Sequence, residues 1–196
     1  MWEPYSDFQP GELDLQSTAT HELTHALGFA SGISQSGGSP WGDAGGTPSA
    51  WNPFDQWVAD STGSIIDGGT FALSLSRWNV ASTGGTGPIN GLLFNGPNAM
   101  SANGGNIVSL YSPTTWLAGS SGSHLDTDFF TGPNAKMMNH QGAVSEGLDI
   151  RALGSIEIGV LADIGYIQIV GVPEPGIAWM ILIGAAFALS NRRRRA

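Results

Sequence analysis

A chain of 196 residues with 41% hydrophobic content is long enough for one domain with a real core and too short for two comfortable ones. Four of its seven basic residues are Arg192, Arg193, Arg194 and Arg195, so residues 1–171 carry three basic against fifteen acidic side chains, which argues against nucleic acid as a partner of the body. The lack of cysteine excludes disulfides, thiolate metal sites and a cysteine nucleophile, and 29 glycines with only 12% charged residues favour a loop-rich globular fold over a helical bundle.

Residues 14–27 predict the first helix. Leu15, Ala19, Leu23, Ala26 and Leu27 recur at spacings of three and four, Asp14 or Ser17 stands where a cap is needed, and Gly28 stands at the stop. Residues 31–47 are almost all small or turn-forming and read as loop. In AWNPFDQWVADSTGSIID (50–67) the cluster of Phe54, Trp57 and Val58 fits either a short helix or an edge strand. FALSLSRWNV (71–80) alternates and predicts a strand, as does NIVSLYS (106–112); between them lies glycine-rich chain anchored by Leu92, Leu93 and Phe94. Ile150, Leu153, Ile156, Val160 and Leu161 recur at helical spacing and predict a terminal helix ending near Gly165. The expected class is α+β.

The chemistry concentrates in TATHELTHALGFASG (18–32). On a helix, positions i and i+4 lie one turn apart on the same face, so His21 and His25 can aim imidazole nitrogens at one ion. Glu22, beside the first of them, would face the open position and take a proton from water there. An isolated match of this kind can arise by chance or mark a structural zinc clip. A structural clip is more often closed by four protein ligands, and it would leave Glu22 without a purpose.

A zinc enzyme needs a third ligand. In the compact metzincin signature it is a histidine six residues after the second, and that position here is Ser31. The remaining candidates are His124, His140, Glu146 and Glu157. His124 has the strongest surroundings, because a polar turn delivers it and KMMN follows 12 to 15 residues later. Asp126 and Asp128 are candidates for orienting ligand histidines, since such histidines usually donate their second N–H to a carboxylate or carbonyl, and equally for solvated loop acids or part of a calcium site. Tyr111, Trp116 and Tyr166 read as core or pocket walls.

Taken together, HELTHALGF, NPFDQWVAD, VSLYSPTTWLAGSSGSHLD, AKMMN and LADIGY resemble, in order, the metzincin-like zinc proteases of the leishmanolysin type, in which a long insertion separates the helix from the third histidine. The resemblance spans most of residues 18–166. It implies a zincin-like α+β domain that binds Zn²⁺ through His21, His25 and His124. It also makes Glu22 the general base for hydrolysis of a protein or peptide substrate. Met138 becomes the methionine of the turn under the metal, with Met137 as the alternative register. His140, two residues past Met138, stands where some members project a tyrosine toward the reacting oxyanion, which makes it a candidate transition-state donor.

The C-terminus reads VPEPGIAWMILIGAAFALSNRRRRA. Its apolar run, residues 176–189, falls short of the ~20 residues that span a bilayer. The abutting arginines are the arrangement that holds a segment's charged end on the cytoplasmic side. Pro173, Glu174 and Pro175, the short apolar run and the basic end closely resemble the PEP-CTERM sorting signal of Gram-negative bacteria. That resemblance implies export, transient inner-membrane anchoring, processing by an exosortase-type enzyme and delivery to the envelope, surface or extracellular matrix. Two parts are expected: residues 1–171 as the protease domain and residues 172–196 as the sorting tail. The opening MWEPYSDFQPGELDLQ has no signal-peptide character, so the chain is expected to be a fragment or to start internally, without the N-terminal strands of its domain. The competing expectation from another class is an envelope or matrix surface protein that keeps the fold without cleaving anything.

Overall fold

The computed structural model describes residues 14–41, 50–141 and 150–166, all within the unit formed by residues 1–166. Residues 172–196, where a sorting tail is expected, and Glu146 lie outside the described residues. Among the described residues no helix is long and apolar enough to cross a membrane.

The class is α+β, as expected. In chain order the elements are α1 (Leu15–Ala26), β1 (Val58–Asp60), β2 (Gly63–Ser64), α2 (Leu75–Ala81), β3 (Leu93–Phe94), α3 (Pro97–Ala102), β4 (Val108–Ser109) and α4 (Ser155–Asp163), with 3₁₀ turns at Asp55–Trp57 and Gly132–Asn134. The four strands form one antiparallel sheet in the order β2-β1-β3-β4, with Ala59 opposite Ser64, Val58 opposite Phe94 and Leu93 opposite Ser109. Strands this short are held by what they bury. Val58, Leu93, Phe94 and Val108 are all within the core, and Phe54 bridges Phe29 and Phe94 at ring separations of 5.4 and 4.9 Å.

Helix α1 starts where expected. The Asp14 carboxylate accepts from the Gln16 N–H at 3.1 Å, satisfying one of the donors a helix start leaves open. Gly28, at φ 100°, takes the left-handed conformation that ends the helix. Its orientation is less ordinary. Ser17 and Thr24 face the body, whereas Leu15 and Leu23 are 80% and 65% exposed and Ala19 and Ala26 are exposed between them. The apolar stripe that marks the helix in the sequence therefore points outward, and a polar face carrying the histidines points in.

Two expectations are corrected. The strand predicted over 71–80 is instead a turn followed by α2: Phe71 sits at φ 58°, Leu73 makes a single bridge to Ile66, and the chain then coils. Trp78 and Ala81, three apart and buried, reward the helical period over the alternating one. In the glycine-rich stretch, α3 was not foreseen. Its first-turn amides at Asn98 and Ala99 donate to the Asp163 carboxylate of α4, at 3.0 and 2.9 Å. That cap comes from 64 residues away and leaves no local signature. The terminal helix is α4, with Ile150 and Leu153 packing on the core just ahead of it.

Candidate metal centre

Three chain segments converge on the inner face of α1. His21 and His25 project from the helix itself. His124 lies on an extended segment that continues the sheet past β4: the Tyr111 N–H donates to the His124 carbonyl at 2.9 Å, and Leu110 and Leu125 form an antiparallel bridge. On its other side the Leu125 N–H donates to the Met138 carbonyl at 2.8 Å, and Leu125 bridges Asn139 in parallel.

The Nε2 atoms of the three histidines form a nearly equilateral triangle: 3.1 Å for His21–His25, 3.2 Å for His21–His124 and 3.0 Å for His25–His124. Each opposite ring nitrogen meets a backbone carbonyl. His21 Nδ1 donates to Met137 at 2.8 Å, His25 Nδ1 to Phe29 at 2.7 Å and His124 Nδ1 to Ser120 at 3.0 Å. A carbonyl only accepts, so each Nδ1 holds the proton and each Nε2 presents a lone pair. Three lone pairs face one another with no proton to share, an arrangement that calls for a cation. Tetrahedral coordination at metal–nitrogen distances of 2.0–2.1 Å places ligand nitrogens about 3.3 Å apart, close to the observed edges. Among the described residues this is the group of side chains set closely enough to hold a metal ion.

Burial favours the neutral imidazole at His124 and His25. His124 is pushed down to about 3 by loss of solvent and, secondarily, by the neighbouring histidines. His25 is lowered by burial and by repulsion from His21. Neutral imidazole is the form that binds metal. Glu22 is exposed next to His21, and its charge acts on His25.

The other expected residues fall into place unevenly. The doubled methionine serves both sides of the site: the Met137 carbonyl holds His21, and its sulfur lies 4.0 Å from Ser17 Oγ on α1. Met138 is fully buried, and its carbonyl holds the residue after His124. His140 stacks on Tyr111 at 3.8 Å, bonds Thr127 Oγ1 through Nδ1 at 2.8 Å, and stands 6.4 Å from the His124 ring. Asp126 and Asp128 do not orient the ligands. Asp126 accepts from Gly87 N, Ser109 Oγ and Asp128 N, while Asp128 accepts from Thr86 Oγ1. Glu157 is fully buried on α4 and does not join the histidines. Trp116 packs against Trp78, and Tyr166 lines a cleft of about 330 Å³ with Leu27, Pro53 and Ile164, to which none of the three histidines contributes.

What the sequence concealed are the three carbonyls and Asp55. The latter is a fully buried carboxylate between Phe54 and Trp57. A lone acid inside so short an apolar cluster was its one visible signal. Comparison of the chain with protein-family models, with curated proteins and with solved structures finds no match.

Proposed function

We propose that this chain is a zinc-dependent metalloendopeptidase of the metzincin kind, exported to the cell envelope or beyond. The observation that carries the reading is the triangle of Nε2 lone pairs at 3.0 to 3.2 Å. Three neutral imidazoles without a thiolate suit Zn²⁺, and three protein ligands, rather than four, are the mark of a catalytic site with an open position. The sequence resemblance supports the choice of zinc, the metzincin fold and the peptide substrate.

His21, His25 and His124 would hold the ion, which when bound supplies Lewis acidity toward a carbonyl and lowers the pKa of water. The protein's own contribution is proton handling and orientation. Glu22, solvent-facing and adjacent to His21, takes the proton from the attacking water and returns it to the leaving amine. The carbonyls of Met137, Phe29 and Ser120 lock the imidazole tautomers, so no ligand has to reorganise. His140, held by Tyr111 and Thr127, would serve as a donor to the developing oxyanion. The PEP-CTERM-like tail supports export and processing by an exosortase-type enzyme.

The test is elemental zinc analysis of the full chain combined with cleavage of a quenched-fluorescent peptide library. One zinc per chain in the parent and in Glu22→Gln, loss of zinc in His124→Ala, and cleavage only by the parent are the expected results. Zinc binding without cleavage by the parent would replace the enzyme with a non-catalytic surface protein.

A further inference from the structure

Asp55 is a fully buried acid that bonds the chain just past α1. Both its oxygens accept from the Gly32 N–H, at 3.1 and 3.2 Å, one of them also accepts from the Asn52 N–H at 3.2 Å, and the Ser31 hydroxyl completes the set. These donors do not fully offset the cost of burial, which raises the carboxyl to about 6. The backbone comes this close because residue 32 has no side chain: a Cβ there would stand 2.7 Å from Asn52 Nδ2 and 2.9 Å from Pro40 Cγ.

The gripped segment, residues 29–33, touches one of the three histidines and the chain neighbour of another. The Phe29 carbonyl accepts from His25 Nδ1 at 2.7 Å. The Ser31 carbonyl accepts from Ser123 Oγ at 3.3 Å, next to His124 in the chain. Phe54, the residue before Asp55, packs against Phe29 with ring centroids 5.4 Å apart. The pair of residues 54 and 55 thus holds the strap at Phe29 and at Gly32, and the strap reaches from the helix ligand to the residue preceding His124. Ser31, the position at which a compact signature would supply its own third ligand, instead ties the strap to the segment that brings His124.

We propose that Asp55 is a positioning residue of the metal centre, fixing the 29–33 strap and through it the imidazoles of His25 and His124. This rests on the reading of the three-histidine site as a metal centre.

The test is a Co²⁺ titration of the full chain, reading affinity and the visible d–d spectrum at saturation, with far-UV circular dichroism as the control for folding. Asp55→Asn, of the same shape, is expected to stay folded, to bind Co²⁺ roughly 10- to 100-fold more weakly, and to show a shifted d–d band. Ser123→Ala, which cuts only the link to His124, is expected to shift the band with a smaller loss of affinity. Asp163→Asn removes a buried acid that caps α3 and makes no bond to the strap, and it is expected to leave the spectrum unchanged. Parental affinity and spectrum in Asp55→Asn overturn the proposal, as does the same spectral shift in Asp163→Asn. If Asp55→Asn fails to fold, Ser123→Ala decides, and an unchanged band there overturns it. A parent that binds no Co²⁺ overturns the metal centre itself and this inference with it.

Discussion

The Nε2 atoms of His25 and His124 lie 3.0 Å apart although 99 positions separate the two residues in the chain. One belongs to a helix and the other to the margin of a sheet, so an ion bound between them joins the two kinds of structure. Its binding free energy then becomes folding free energy. Zinc held at a free concentration of 1,000 times its dissociation constant would stabilise the fold by about 4 kcal/mol. Chelation is expected to lower the melting temperature by roughly 10 °C. Differential scanning calorimetry with and without chelator, repeated on His124→Ala, is the check; the variant should melt at one temperature in both conditions.

Acid should destabilise the metal-free protein through the same histidines. His124 binds its proton near pH 3 when folded and near 6.5 when unfolded. Its contribution is therefore fully present above pH 6.5 and lost as pH falls toward 3. Asp55 has the opposite sign: its folded carboxyl, raised to about 6 by burial, takes up a proton before the unfolded one at 3.8, so stability is regained as pH falls through that window. Urea denaturation of chelated protein between pH 7.5 and 4.5 should show a net loss. The pH slope should be steeper in Asp55→Asn and shallower in His124→Ala.

The α3–α4 contact should tolerate nothing larger than glycine at position 159. A Cβ there would stand 2.7 Å from the Ala99 Cα and 2.8 Å from the Ala99 nitrogen, both backbone atoms that cannot swing away. Gly159→Ala is expected to cost about 1–3 kcal/mol by prying the helices apart. Zinc stoichiometry should stay at the parental value, since neither helix carries a ligand. Chemical denaturation and elemental analysis measure the two effects separately.

Substitution of His140 tests the proposed transition-state role apart from metal binding. Its ring bonds Thr127 and stacks on Tyr111, not on a ligand. His140→Ala is therefore expected to keep parental zinc affinity while kcat falls by about 10²-fold or more and KM changes little. An unchanged kcat would return His140 to the status of a well-packed loop residue.

What was legible in the sequence was local. The helix of residues 15–26 and the pairing of His21 with His25 follow from spacings within one or two turns, where chain geometry leaves little choice, and of the two cap candidates, Asp14 and Ser17, the structure uses Asp14. His124 could be put forward by its surroundings and by resemblance, but not by any spacing rule, because no local geometry connects positions 99 apart. The misread strand over 71–80 failed on the same ground. Both periods were present there, and burial of Trp78 and Ala81 against the rest of the protein chose between them.

The sequence by itself determined that two histidines and a glutamate share a helix, that the body is acidic, and that no thiol chemistry is present. Only the tertiary structure decided which face of that helix looks inward, because a hydrophobic period records a stripe and not the object it meets. It also decided which groups aim the ligands. The carbonyls of Phe29, Ser120 and Met137 belong to the backbone, which every residue type carries alike, so only folding could select these three from the rest of the chain.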